Sequence, residues 1–310
     1  MNGNPSVDLS VCICTFKRPA LLETLLQAVA RQAHDGRRLQ IVVVDNDPQQ
    51  SASAVLQAWQ PRTDVIVTAL HVSTPNIALA RNAAVHAALA DWIVFVDDDE
   101  EPDPQWLDKL VDAQKQYGAD AVFGPVLPRY HARTPTWIRQ GGYFDRPRYP
   151  TGTTVPVRDA RTGNVLVRRA MLMSLQGPFD AAYGRTGGSD TVLFGALLGR
   201  RAKLIWCDEA TVQEDVPPER ATLEWILRRA FRGGQSFVRS DLKLLAPMRK
   251  LTRGLYLGAR ALAQLAIALA CTLALFPFSR TRAVQWLRTA AAQAGKLTAL
   301  AGHRYHEYGH

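Results

Sequence analysis

Cysteine is scarce in this chain. Four cysteines in 310 residues are too few for a disulfide framework, and no CxxC pair or His/Cys cluster marks a zinc site. Cys12 and Cys14 stand two apart in an apolar run. They share one face of a strand and read as core residues of a reduced domain. The first residues, MNGNPSVD, lack a basic region followed by an apolar segment, so no secretory signal is expected. There is no GxGxxG, which removes the phosphate loop of the usual dinucleotide fold. Acids are scarce at one end only. Residues 217–310 hold 15 Lys/Arg and 4 Asp/Glu, a net of +11, whereas residues 1–216 hold 22 and 24, a net of −2. The basic excess is therefore C-terminal. It fits nucleic acid or an anionic membrane surface, and the residues there favour the membrane.

The chain has room for one large domain or two modest ones. Its centre is Trp92 to Val96, five apolar residues in a row, followed by Asp97-Asp98-Asp99-Glu100-Glu101-Pro102. The run reads as a strand buried on both faces. Ligands of open α/β sheets bind outside the carboxyl ends of the strands, so the aspartates are expected at a ligand crevice. Three adjacent aspartates repel one another. Solvent, a nearby arginine or a divalent cation resolves that repulsion. Hard oxygen ligands suit magnesium or manganese, which also bind substrate phosphates. The competing reading is a solvated acidic turn ahead of a helix at 104–117.

Strands are expected at Leu9–Thr15, Gln40–Val44, Val65–Leu70, Ala119–Val126, Asn164–Arg168 and, last, Lys203–Cys207. Helices are expected from Pro19, with Leu21, Leu22, Leu25, Leu26 and Val29 on its core stripe, and at 51–59, Asn76–Ala84 and 191–199. Strand alternating with helix predicts an α/β fold with a doubly wound, mostly parallel sheet. Asp45 then ends a strand beside the same crevice as Asp97. Arg81, in an alanine-rich helix, reads as a snorkelling charge or as a clamp for a phosphate or carboxylate. Residues 127–163 have no period and read as a long functional loop. Gly187-Gly188 let backbone approach a ligand before Asp190, whose bland role is a helix cap. Trp225 to Arg232 reads as a helix broken by Gly233-Gly234.

The order of these pieces resembles glycosyltransferase family 2, with its GT-A fold. The matching stretches are Val11 to Pro19, Val43-Val44-Asp45-Asn46, Asn76 to Asn82, Phe95 to Glu100, Thr162-Gly163-Asn164 and Gly187-Gly188-Ser189-Asp190. Val216 to Arg220 and Arg228 to Gly234 resemble the succinoglycan-type exopolysaccharide enzymes. The resemblance implies an inverting transfer from a nucleotide-diphosphate sugar, a UDP-hexose, to a hydroxyl of a glycan or lipid-linked acceptor. It implies that Thr15, Arg18, Asp45, Arg81 and Asp97 hold the nucleotide. Asp99, with Asp97, would hold Mg2+ or Mn2+, and Asp190 would be the catalytic base. Arg228, Arg229 and Arg232 would compensate the diphosphate, and Asn164 and Gly188 would face acceptor or donor sugar. The chain departs from the family pattern at Ser189, where an acid is usual, and at Gln213-Glu214-Asp215, where a metal-binding histidine is usual. Glu214 is then the substitute ligand. No Gln-x-x-Arg-Trp is present, which points to a non-processive enzyme. Two other classes fit an acidic α/β site: a nucleotidyltransferase, although Thr15 to Pro19 has no glycine, and a non-catalytic nucleotide-sugar sensor.

The expected division is a GT-A domain over 1–240 and a helical, basic region over 241–310. Ala261 to Phe278 is 18 residues without a charge, about 27 Å as a helix and close to a bilayer core. Residues 282–301 place Trp286, Leu287, Ala290, Ala294 and Leu297 on one side, an interfacial pattern. Association with the cytoplasmic face of the inner membrane is expected, with a buried helical hairpin as the alternative.

Overall fold

The computed structural model describes residues 7–32, 37–59, 65–184, 187–243 and 245–303. In chain order the elements are β1 (Leu9–Thr15), α1 (Pro19–Ala30), β2 (Leu39–Asp45), α2 (Ser53–Trp59), β3 (Ile66–His71), α3 (Ile77–Ala87), β4 (Trp92–Val96) and β5 (Glu100–Pro102). Then follow α4 (Trp106–Tyr117), β6 (Ala121–Phe123), β7 (Val126–Tyr130), α5 (Thr136–Arg139), β8 (Asn164–Arg168), α6 (Arg169–Met173), α7 (Ser189–Gly199), β9 (Leu204–Trp206) and β10 (Val212–Val216). The last three are α8 (Leu223–Lys243), α9 (Pro247–Leu275) and α10 (Arg280–Leu300). They form two compact units. The first comprises the described residues of Met1–Leu127, Arg146–Arg185 and Ser189–Glu214, the second those of Pro128–Asp145, Thr186–Gly188 and Asp215–His310.

In the first unit a seven-stranded sheet runs in the order β3-β2-β1-β4-β8-β6-β9. The pairs β1–β2, β2–β3, β1–β4 and β6–β9 are parallel. β8 is antiparallel to both β4 and β6. Its start, Asn164, pairs with Val96 at the end of β4. The chain thus enters β8 at the edge where β4 ends and can only run back down. A three-stranded sheet has the order β5-β10-β7.

Period-two alternation divides the core. Val11, Ile13, Ile41, Val43, Val94 and Val96 face α1 and α4, meeting Leu22, Leu25, Leu26, Trp106, Leu107 and Leu110. Cys12, Val42, Val44, Ile93 and Phe95 face the other way, onto Ala80 and Ala84 of α3 and Leu193, Phe194 and Leu197 of α7. Each large aliphatic side chain so buried stabilises the fold by about 1.5–3 kcal/mol. Leu21, expected on the core stripe, is 40% exposed, because it stands one residue off the Leu22–Leu25–Leu26–Val29 face.

Several expected elements differ. Ala119–Val126 is two short strands. A Cβ at Gly124 would lie 2.1 Å from the Ala210 carbonyl oxygen, and Pro125 has no N–H to donate, so the ladder breaks there. Lys203–Cys207 is not the last strand, since β10 follows. The stretch 127–163 is not structureless: it holds most of β7, the short α5 and a 3-10 turn at Val157–Asp159.

The second unit is mainly helical. Its core joins Ile138, Tyr143 and Phe144 to Val216, Ile226 and Val284. Gly233-Gly234 does not break α8, which runs through to Lys243. Gly234 instead admits α10, since a Cβ there would sit 2.0 Å from the Ala292 carbonyl oxygen. Gly295 of α10 answers it, 1.9 Å from the Phe231 carbonyl oxygen by the same measure. α10 packs along both α8 and α9. It buries Ala283, Val284, Ala290, Gln293 and Gly295 and leaves Trp286 36% exposed, so the expected single Trp286–Leu297 face gives way to burial on two sides. α9 is long and apolar enough to cross a membrane, by length and composition.

Candidate active site

The parallel register sets the site. Thr15 pairs with Asp45 and Cys12 with Phe95, so β1, β2 and β4 end at one edge, with Asp97 the first residue beyond β4. The turn there is self-locked. The Glu100 N–H donates to the Asp97 carbonyl at 3.1 Å, and the Glu100 carboxylate accepts the Asp97 N–H at 3.0 Å.

Of the three ways to relieve the acidic run, arginine is the one the side chains show. Asp98 accepts from the Thr15 hydroxyl at 2.8 Å and from Arg18 at 2.9 Å, and the same Arg18 nitrogen reaches Asp99 at 2.9 Å. Arg81 bridges Asp97 at 3.2 Å and Asp190 at 3.1 Å. Arg146 meets Glu214 at 2.5 Å and Glu100 at 3.7 Å. Three arginines thus each hold two carboxylates.

Burial sharpens these couples. It pushes Asp98 up to about 6, against the opposing pull of Arg18 and the Thr15 bond. It also lifts Glu100 well above its ordinary value, helped by the charge of Asp97. Burial works against the Arg81 cation, but Asp190 and Asp97 outweigh it and fix the charge. The Arg81 side chain is only 11% exposed and lies 5.6 Å from the centre of the Phe179 ring. It is a clamp, not a snorkelling charge. Its helix is set by Asn76, whose side chain caps the N–H groups of Ala78 and Leu79. Asp190 sits in the first turn of α7. It also accepts from the Thr162 hydroxyl at 3.0 Å and lies 3.3 Å from the Ser189 hydroxyl. Gly187 and Gly188 precede it with φ of +75° and +101°, conformations that side-chain-bearing residues rarely adopt.

Other expected residues stand elsewhere. Asn164 offers a sugar no free N–H: it is 2% exposed, its amide donates to the Pro125 and Ala210 carbonyls, and its oxygen accepts from Trp106. Asp45 is buried and accepts the N–H groups of Asp47 and Ala52 at 2.9 and 2.7 Å. Thr15 is buried as well. Arg228, Arg229, Arg232 and Gly188 belong to the second unit; Arg228 pairs with Glu224 one turn away, and Arg229 lies 5.0 Å from the Trp225 ring centre. Sequence reasoning missed Arg146 and the task of Thr162. Arg146 lies inside the aperiodic 127–163 stretch, and only the arginine-rich composition there hinted at it.

The donor set is all oxygen. Six acidic side chains face three arginines, so acid is in excess. An anionic diphosphate would be repelled unless a cation came with it. Among the described residues no three His, Cys, Asp or Glu converge as a closed cage. Magnesium and its like need none, since one or two carboxylates plus substrate phosphates hold them. The Asp97 side chain is 42% exposed and that of Asp99 16%. Gly163 leaves space beside Asp97 and Glu100: a Cβ there would come within 3.2 and 2.6 Å of their oxygens. These residues fit a hard divalent cation.

The profile described as Glycosyl transferase family 2 matches residues 10–175. Succinoglycan biosynthesis protein ExoM of Rhizobium meliloti (strain 1021) is 33% identical over 233 residues, 75% of either chain. Glucosyl-dolichyl phosphate glucuronosyltransferase of Haloferax volcanii is 25% identical over 266 residues, 81% of this chain and 82% of its own. A mannosyltransferase of Pyrobaculum calidifontis, solved with GDP-Man and Mn2+, superposes with a TM-score of 0.64 at 20% identity, over 94% of this chain and 86% of its own. The chain belongs to glycosyltransferase family 2, is a glycosyltransferase, and has the GT-A fold.

Proposed function

We propose that this enzyme moves a hexose from a UDP-hexose to a hydroxyl of a glycan or lipid-linked acceptor, with inversion, in bacterial polysaccharide or glycolipid biosynthesis. The observation that carries the reading is Arg81, which joins Asp97, the donor-side acid, to Asp190, the candidate base, through one guanidinium. In this reading an acceptor hydroxyl attacks beside that base, opposite the departing diphosphate. Asp190 accepts the hydroxyl proton in that step. Thr162 orients it. Arg18 and Arg81 bind the nucleotide diphosphate, with Thr15 and Asp45 forming the floor beneath the nucleoside. Asp99 and Asp97, with Glu214 nearby on β10, would hold Mg2+ or Mn2+, which would supply neutralising charge for the leaving group.

The names of the succinoglycan protein and of the dolichyl-phosphate enzyme support a polysaccharide or lipid-linked acceptor. Residues 1–240 carry the reaction and 241–310 meet the cytoplasmic face of the inner membrane. The test is Asp190→Asn, which keeps shape and hydrogen-bonding capacity but removes the proton acceptor. Turnover should fall about 10²–10⁴-fold, while affinity for UDP with Mn2+, read by thermal shift, stays within a few fold. Near-normal turnover would remove Asp190 from the mechanism, and loss of nucleotide affinity would make it a binding residue.

A further inference from the structure

α9 and α10 form an antiparallel hairpin. They are joined by residues 276–279, and Leu300 at the end of α10 lies 3.6 Å from where Cβ atoms on Gly254 and Gly258 of α9 would stand. One face of α9, with Leu257, Ala261 and Ala268, is buried where it meets α10. A second face, about 120° round the helix, presents Met248, Leu251, Leu255, Leu262, Leu273 and Phe276, each 59–77% exposed. At 100° per residue these six, and the alanines between them, form one stripe free of charge along the full helix, about 43 Å long. Arg249, Arg253 and Arg260 stand together about 140–180° round the helix from it, and Arg253 pairs with Asp241 at 2.8 Å. Residues 242–303 contain nine Lys/Arg and not one Asp or Glu.

We infer that α9 lies in the plane of an anionic bilayer, its stripe sunk to the headgroup–acyl boundary, and does not cross it. A crossing α9 would carry α10 with it, because α10 packs along its length. α10 brings Arg280, Arg282, Arg288 and Lys296, and its other side is sealed onto α8 by the Gly234–Ala292 and Gly295–Phe231 contacts and the 3.0 Å bond from Gln235 to Thr298. α8 bears charges along its length. Burying this assembly in hydrocarbon is costly, whereas an apolar stripe on one side of the helix with bases on the other matches an interfacial helix. The inference deepens the proposed membrane contact and needs no turnover, so it stands or falls apart from the reaction.

The test floats full-length protein with vesicles of phosphatidylglycerol and phosphatidylcholine, and with phosphatidylcholine alone. Binding is expected on the anionic vesicles, weaker by about tenfold or more without phosphatidylglycerol. The triple variant Leu255→Glu, Leu262→Glu, Leu273→Glu should lose it, with circular dichroism and UDP affinity unchanged, since these side chains are exposed. In a Cys271→Ala background, Arg282→Cys should react with an impermeant maleimide added outside intact vesicles. Labelling only after lysis would mean that the hairpin crosses and would overturn the inference. So would unchanged binding by the triple variant, or a dimer in solution that ignores vesicles and is dispersed by the glutamates, which would give the stripe to a second copy.

Discussion

Asp98 and Asp99 are neighbours with different environments. The Asp98 side chain is 7% exposed and that of Asp99 16%, and one Arg18 nitrogen touches both. The Thr15 hydroxyl and Arg18 do not recover what Asp98 loses in leaving water, so its pKa rises from 3.8 to about 6. A carboxyl whose pKa is higher in the folded than in the unfolded chain holds its proton more tightly when folded. Its contribution to stability is therefore largest below pH 3.8 and is lost as pH rises through 6. The difference across that window is about 3 kcal/mol for this group alone. Wild type and Asp98→Asn, unfolded in urea at pH 4 and pH 7, should show it: the stability of wild type relative to the variant falls between the two. A constant difference would mean that Asp98 does not titrate in this window. The likeness of Asp98 to its neighbours in sequence hides this, because the fold alone buries it and sets it against the Thr15 hydroxyl, 83 residues away.

At the scale of elements, α8 carries two adjacent glycines with opposite tasks. Gly233 meets nothing within 4 Å of a Cβ, while Gly234 would press one into the Ala292 backbone. Gly233→Ala should stabilise the protein by about 0.5–1 kcal/mol through helix propensity. Gly234→Ala should destabilise it by about 1–3 kcal/mol, because backbone cannot yield as a side chain can. Denaturation midpoints moving in the same direction would refute the packing account. The pair also shows what sequence conveys and what it does not. β1, β4 and β8 are legible to the residue, because strands buried on both faces are continuous apolar runs. β10 reads Val-Gln-Glu-Asp-Val, too polar to look like a strand. It is one because it pairs with β5, and its Glu214 is met by Arg146, 68 residues away. Asp97 and Asp99 were legible as candidates from the end of their strand, Arg81 from its alanine-rich helix, and Asp190 from the glycines before it together with the family resemblance. That Arg81 joins Asp190 across 109 residues was not, since only the sheet brings them together.

At the scale of the whole molecule, charge is divided along the chain. The formal net of +9 is the sum of −2 for residues 1–216 and +11 for residues 217–310. Six of the acids in the first part meet three arginines at distances of 2.5–3.7 Å. Interactions so short are screened little by salt. If α9 lies on an anionic surface as inferred, its bases act on that surface across solvent, where the Debye length falls from about 10 Å at 0.1 M to about 3 Å at 1 M salt. Each base near such a surface contributes about 1 kcal/mol. The two functions should therefore separate in a salt titration. Vesicle binding should weaken steeply between 0.1 and 1 M NaCl and level off where the apolar stripe alone holds the helix. Thermal stability and affinity for UDP with Mn2+ should change far less over the same range. Replacing Arg249, Lys250 and Arg260 together by glutamine should flatten the salt slope without moving the stability of the fold. Vesicle binding indifferent to salt would mean that apolar contact alone drives it. A stability that falls in step with binding would mean that the bases hold the fold together and not the surface.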